Sequence, residues 1–257
     1  MAVGLIIIGD EILSGKRRDA HFAKVVELLA ERGMQLAWAE YLGDDPARIR
    51  ATLARTFGGP DIVFSCGGIG ATPDDHTRQC AADALGVPLQ LHPEGKLLIE
   101  ERTRDMDPHA DLAAPGNRHR LKMAEFPAGA TLIPNPYNKI AGFSVARHHF
   151  VPGFPVMAWP MIAWVLDTHY AALFNLRPHS EQAVLAYGAA ESTLTPLMEA
   201  LERQFDAIKV FSLPSVGDAN TRRHIELGVK GEPGQVGVAF AAMCAELDRM
   251  KVEYQAM

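Results

Sequence analysis

SCGGIGATPDDHT, residues 65–77, is the stretch whose reading decides the fold. Gly67, Gly68 and Gly70 follow the apolar run Asp61 to Cys66 directly, and a segment rich in helix-starting residues comes next. Buried strand, glycine loop and helix follow one another in this order at the ligand edge of an open α/β sheet. Glycine lets a bound group approach the backbone, and free N–H groups at a helix start attract anions such as phosphate. The spacing is not the dinucleotide-binding GxGxxG, and no P-loop lysine follows, so neither fingerprint applies. A plainer account stands beside the functional one. Thr72 as N-cap, Pro73 as first helical residue, and Asp74 and Asp75 at the positive helix end would make the stretch a well-capped helix opening at Pro73.

Outward from this loop the chain alternates between two periods. Val3 to Ile8 is an apolar, β-branched run with no basic n-region before it, and it reads as a buried strand and not a signal peptide. Phe22, Val25, Val26 and Leu29 recur at helix spacing, and Gly33 supplies the C′ residue. Leu36 to Leu42 is strand-like; Asp45 and Pro46 then cap a helix with the apolar face Ile49, Leu53 and Phe57. Strand, helix, strand, helix, strand, glycine loop, helix predicts an α/β domain with a mostly parallel sheet covered on both faces.

Residues 106–120 are polar and irregular and read as an exposed loop or lid. Thr131 to Ile133, Phe143 to Ala146 and His149 to Val151 resume the strands around the turn-rich Pro134 to Asn138. Phe150 to Leu166 is a 17-residue run without charge, but Pro152, Gly153, Pro155 and Pro160 break it. It reads as a turn and then a buried helix from about Pro160, closing a domain over 1–170 near Tyr170, and not as a membrane span. After a linker holding Arg177, Pro178 and His179, residues 178–257 show a second rhythm. Strands at Ala183 to Tyr187, Ile208 to Leu213 and His224 to Val229 frame the helix face Leu194, Leu197, Met198, Leu201 and Phe205. A last helix carries Phe240, Met243, Leu247 and Met250, which gives a smaller α+β domain of order βαββα.

The chain's 257 residues, 48% hydrophobic and 22% charged, exclude disorder as its main state. With 25 basic against 31 acidic residues it carries no footprint for nucleic acid. Cys66, Cys80 and Cys244 form neither a CxxC pair nor an even framework, which fits a reducing cytoplasm.

Carboxylates concentrate at one sheet edge. Asp10 and Glu11 follow the first strand, Asp44 and Asp45 the second, and Asp74 and Asp75 the third. Singly each is explained by capping or a solvated turn; six together suit a divalent cation, which takes one or two carboxylates and leaves its other positions to waters and ligand phosphates. Lys16, Arg17 and Arg18 read as a solvated helix start or as phosphate contacts. Strand alternation sends His148 and His149 to opposite faces, against a shared metal site. Cys66 reads as a small buried hydrophobe before a nucleophile.

Gly9 to Gly15, GDEILSG, resembles the GxELLxG opening of the CinA family, and Gly67 to Thr77 its GGLGPTxDDxT motif. Leu42 to Asp45 is similar to the family's VGD turn, and Pro152 to Met157 to its PGxPxEM turn. The likeness spans residues 3–170, and residues 178–257 resemble the small middle domain of CinA proteins. It implies a three-layer αβα domain of the MoaB/MogA-like molybdopterin-binding fold that takes a pterin phosphate or a nucleotide. In CinA-type members it implies metal-dependent hydrolysis of a pyrophosphate such as that of ADP-ribose, with Mg, Mn or Co. Matched by motif, Asp75 and Asp44 are the catalytic pair, and Asp75, Asp74 and Asp44 the metal ligands. Gly67, Gly68, Gly70, Thr72 and Thr77 would line the phosphate pocket, with Asp10, Glu11, Pro152 and Gly153 at the ligand. On this reading Asp75→Asn abolishes turnover and spares the fold. A cytoplasmic homo-oligomer is implied as well, with no nucleic-acid or membrane partner.

The chain departs from the family pattern at His21 (usually Asn), Ala71 (usually Pro), Asn138 to Ala141 (usually a Gly-Thr-Ala segment) and Val156 (usually acidic). Those departures keep a non-catalytic pterin or nucleotide binder, and then a scaffold, as alternatives. Adenylyl transfer to molybdopterin ranks below hydrolysis because the opening and the DD pair resemble CinA proteins more than the dedicated transferases. The chain ends at Met257, so the amidohydrolase domain of long CinA proteins, and its deamidation chemistry, is not expected.

Overall fold

In the computed structural model, residues 2–176, 180–218 and 221–257 are described. The chain forms two compact units, Met1–Phe174 and Asn175–Met257; the linker reading at Arg177, Pro178 and His179 lies outside the described residues.

The first unit opens with β1 (Val3–Ile8), the one-turn α1 (Asp10–Leu13) and α2 (His21–Ala30), then β2 (Leu36–Leu42), α3 (Pro46–Phe57) and β3 (Ile62–Cys66). It continues through α4 (Thr77–Leu85), β4 (Leu89–Leu91), α5 (Pro93–Met106), α6 (Pro115–Leu121) and β5 (Glu125–Pro127). β6 (Thr131–Ile133), β7 (Gly142–Val145), β8 (His148–Val151) and α7 (Pro155–His169) complete it. Six strands form one sheet in the order β2-β1-β3-β8-β7-β6. β2, β1, β3 and β8 run parallel, while β7 runs antiparallel to both of its neighbours, β8 and β6; β4 and β5 pair separately.

β1 is apolar throughout because both its faces are covered. Leu5 and Ile7 pack with Val25, Leu29, Ile162 and Val165 of α2 and α7, while Ile6 and Ile8 pack with Ile49, Leu53 and Cys80 of α3 and α4. This is the three-layer α/β arrangement. Gly33, at φ +63°, ends α2 in a Schellman motif: its N–H meets the Ala30 carbonyl at 2.9 Å and that of Met34 meets Leu29 at 2.8 Å. Asp45 caps α3 through Ala47 N at 2.9 Å, ahead of Pro46, as the sequence predicts.

Several local readings are corrected. No helix opens at Pro73: α4 starts at Thr77, because Asp75 turns its carboxylate back on the loop and holds residues 70–75 out of helical register. The span 106–120 is not all loop, since α6 begins at Pro115 as first helical residue; α5, before it, has too weak an apolar periodicity to show in the sequence. α7 starts at Pro155, five residues before Pro160, which sits inside the helix. The N–H that Pro160 lacks would have met the carbonyl of Val156, an exposed position where water can serve it. β7 and β8 join through a tight turn with Ala146 and Arg147 at φ +48° and +59°, a left-handed pair built without glycine.

The second unit has β9 (Ser180–Tyr187), α8 (Glu191–Gln204), β10 (Ile208–Ser215), β11 (His224–Gly231) and α9 (Pro233–Arg249), the order the sequence predicts, and ends in an unanticipated β12 (Glu253–Ala256). Its antiparallel sheet, β10-β11-β9-β12, packs Val184, Leu227 and Val229 on Leu194, Leu201, Met243 and Leu247.

Candidate functional site

The loop after β3 is shaped by its glycines. Gly67 and Gly68 hold φ +108° and +68°, and a Cβ there would collide with the Ile8 carbonyl and the Thr77 hydroxyl respectively. Gly67 N–H donates to the Val151 carbonyl at 3.0 Å, while Thr77 donates its N–H to Gly68 and its hydroxyl to Gly67, at 3.0 and 3.1 Å. Asp75 closes the loop: its carboxylate accepts Gly70 N–H at 2.9 Å, Thr72 N–H at 2.8 Å and the Thr72 hydroxyl. The N–H groups of Gly68, Ile69 and Ala71 have no acceptor among the described residues.

Two residues that sequence reading missed secure this loop from the other side. Arg78, fully buried on α4, donates to the carbonyls of Gly70, Lys122 and Glu125. Burial pulls its proton affinity down, against the charges of Glu125 and Asp75. From α6, His119 Nε2 donates to the Ala71 carbonyl at 2.6 Å. Neither residue shows a pattern in sequence; an arginine on a helix reads as surface until its neighbours are known.

Beside the loop lies an open cavity of about 620 Å³ lined by Asp10, Glu11, Leu13, Ser14, Lys16, Asp44 and Asp74. Asp10 and Asp44 lock the ends of β1 and β2 reciprocally: Asp10 N–H donates to Asp44 Oδ2 at 2.9 Å, and Asp44 N–H to Asp10 Oδ1 at 3.2 Å. Burial raises the Asp44 pKa above the usual carboxylate value; the charges of Asp10, Glu11 and Asp74 push the same way, and the Asp10 N–H opposes them. On the far side, Gly153 packs over Gly67, where an added Cβ would lie 3.5 Å from the Gly67 Cα. The Gly153 carbonyl accepts from His21 Nε2 at 3.1 Å, and the buried His21 Nδ1 has no partner.

The structure therefore gathers Asp10, Glu11, Asp44 and Asp74 at one cavity, sets Asp75, Thr72 and Thr77 inside the loop's own bonding, and brings Pro152 and Gly153 to its back. Among the described residues, no three His, Cys, Asp or Glu side chains are grouped as ligands for a metal ion. Asp45 is a helix cap. Lys16 lines the cavity, and Lys16, Arg17 and Arg18 have no ion-pair partner among the described residues. Cys66 is buried, and burial pushes its thiol far above the range where a thiolate forms. No helix of the described residues is long and apolar enough to cross a membrane.

Comparison with known proteins places this geometry. Residues 4–171 match the family model "Probable molybdopterin binding domain". A CinA-like protein of Anaeromyxobacter sp. is 37% identical over 158 residues, 60% of this chain and 37% of that protein. A CinA-like protein of Mycolicibacterium gilvum is 30% identical over 236 residues, 89% of this chain and 50% of that protein. The chain thus spans between about a third and a half of the length of these relatives. The crystal structure of the protein CinA from Thermoplasma acidophilum superposes with a TM-score of 0.56 at 24% identity, over 65% of this chain and 98% of that one, a likeness of fold. With its β3 glycine loop, its carboxylate-lined sheet edge and a matching model over residues 4–171, the chain belongs to the molybdopterin-binding domain family, among CinA-like proteins.

Proposed function

We propose that this chain binds a nucleotide diphosphate compound at the glycine loop and hydrolyses its phosphoanhydride with the help of a divalent cation. The observation that carries the reading is the cavity wall itself, where Asp44, its pKa raised by burial, stands beside Asp10, Glu11 and Asp74. Such a wall repels a bare phosphate, whereas the unaccepted N–H groups of Gly68, Ile69 and Ala71 attract one. A cation arriving with the phosphates reconciles the two.

The donor set fits a hard cation. It is carboxylate oxygen throughout, without His or Cys, which suits Mg or Mn and admits Co. Asp44 with Asp10 or Asp74 would hold it, phosphate oxygens and waters completing the coordination, so a cage of three protein ligands is not required. When bound, the ion neutralises the diphosphate and lowers the pKa of a nearby water. The chain's own groups do the positioning: loop N–H groups orient a phosphate, Lys16 lines the cavity wall beside it, and Asp75 fixes the shape of the loop. A homo-oligomer working in the cytoplasm completes the reading by resemblance to CinA proteins.

The test is a hydrolysis screen against ADP-ribose, FAD, NAD and dinucleoside polyphosphates with Mg, Mn or Co and a chelator control. The expected result is cation-dependent release of a nucleoside monophosphate, lowered about 100-fold or more in Asp44→Asn. No turnover with any substrate overturns it. The absence of a three-ligand metal group among the described residues favours a second reading, a pterin or nucleotide binder without catalysis. Tight, cation-independent binding with no product would establish that one; ATP consumption with an adenylylated product would instead mark adenylyl transfer.

A further inference from the structure

Where α6 meets the glycine loop, it presents a histidine with one ring nitrogen engaged and the other free. The Ala71 oxygen, 2.6 Å from His119 Nε2, can only accept, so Nε2 carries a hydrogen and the neutral ring has its lone pair at Nδ1. Nδ1 has no protein partner among the described residues, and the side chain is exposed. A backbone carbonyl that fixes the tautomer and ring direction while leaving the second nitrogen open is the arrangement a proton acceptor needs.

The place of the contact matters as much as its form. Ala71 lies between Gly70 and Thr72, whose N–H groups Asp75 holds, and its own N–H is one of the three without an acceptor. His119 is therefore anchored on the same peptide segment that offers donors to a phosphate. A purely structural reading is weak. Buried Arg78 already ties Gly70 to the carbonyls of Lys122 and Glu125, and an exposed hydrogen bond adds little to a loop pinned from inside.

We propose that His119 is the general base of the hydrolysis, an inference that rests on the phosphoanhydride reading above. A water oxygen attacks one phosphorus and gives a proton to His119 Nδ1. The new P–O bond forms as the bridging P–O bond breaks, and the bridging oxygen departs with that electron pair on the second phosphate. His119 then returns its proton to solvent. The step consumes one water, forms two monophosphates and releases one proton.

The experiment uses the full chain with ADP-ribose and magnesium, and compares His119→Gln, whose amide can still donate to the Ala71 carbonyl, with His119→Ala. Expected are a kcat about 100-fold or more below wild type in both, a KM close to wild type in His119→Gln, and partial recovery of His119→Ala by added imidazole. A His119→Gln kcat near the wild-type value overturns the base assignment and leaves the hydrolase reading standing. So does an inactive His119→Ala that imidazole does not rescue. A wild-type protein that turns over none of the screened substrates overturns both readings together.

Discussion

Two polar clusters sit at opposite ends of the same parallel sheet, and they are built on opposite rules. At the end carrying His148 and His149, every ring nitrogen is matched: His148 bonds Thr56 Oγ1 and the Ala146 carbonyl at 2.9 Å each, and His149 bonds Ser144 Oγ and Tyr170 Oη at 2.8 and 2.7 Å. Phe57 and Phe64 pack against the two rings from opposite faces. At the other end, Asp10, Glu11, Asp44 and Asp74 face a cavity with like charges near one another, and three loop N–H groups lack acceptors among the described residues. A network whose groups are all matched stabilises the fold; one that leaves like charges together and donors unmatched keeps capacity for a ligand.

The sharpest way to probe the contrast is acid. Burial holds His148 at a pKa of about 4 and His149 at about 3, so both are neutral in the folded state and gain protons readily only when unfolded. Because the folded values are depressed, stability is intact above about pH 6.5 and falls as pH drops toward 4; the loss is about 2 kcal/mol per histidine by pH 5 and roughly 3 each by pH 4. Urea midpoints measured across that range should follow this slope, and a flat profile would mean the histidine end is not closed. His149→Phe, which removes one titration, should flatten part of it.

Smaller effects separate the two ends further. Gly67→Ala places a Cβ against the Ile8 carbonyl at a positive φ and should cost about 3 kcal/mol, read as a lowered melting temperature, with loss of ligand binding. Asp75→Asn leaves a single amide oxygen for the acceptor work of two, facing Gly70 N–H, Thr72 N–H and the Thr72 hydroxyl. It should cost about 1 to 2 kcal/mol and blunt turnover through loop geometry, so the expectation that this change spares the fold applies to the sheet and not to the loop. Smallest in stability is Asp44→Asn, which keeps an acceptor for Asp10 N–H while removing a charge beside three others. The melting temperature should rise slightly as activity falls. Opposite signs of this kind would mark the acidic end as built for a ligand and not for the fold.

The sequence was enough to read the alternation of strands and helices, the glycine loop after a buried strand, and the carboxylates at the strand ends. All of these depend on local periodicity or on residues adjacent in the chain, such as Asp45 and Pro46 starting α3. The start of α4 and the direction of Asp75 were not legible, because Thr72-Pro73-Asp74-Asp75 satisfies the rules for a helix cap and for a closed loop equally well. Long-range packing settled the choice: Thr77 bonds back to Gly67 and Gly68, and Arg78 to the carbonyl of Gly70. Tertiary structure alone also brought His119 onto Ala71 from a segment that reads as plain loop, and divided the six carboxylates into cavity, loop and cap. Backbone carbonyls, identical in every residue, are the partners in most of these contacts, and a one-dimensional pattern carries no record of which carbonyl a distant side chain will reach.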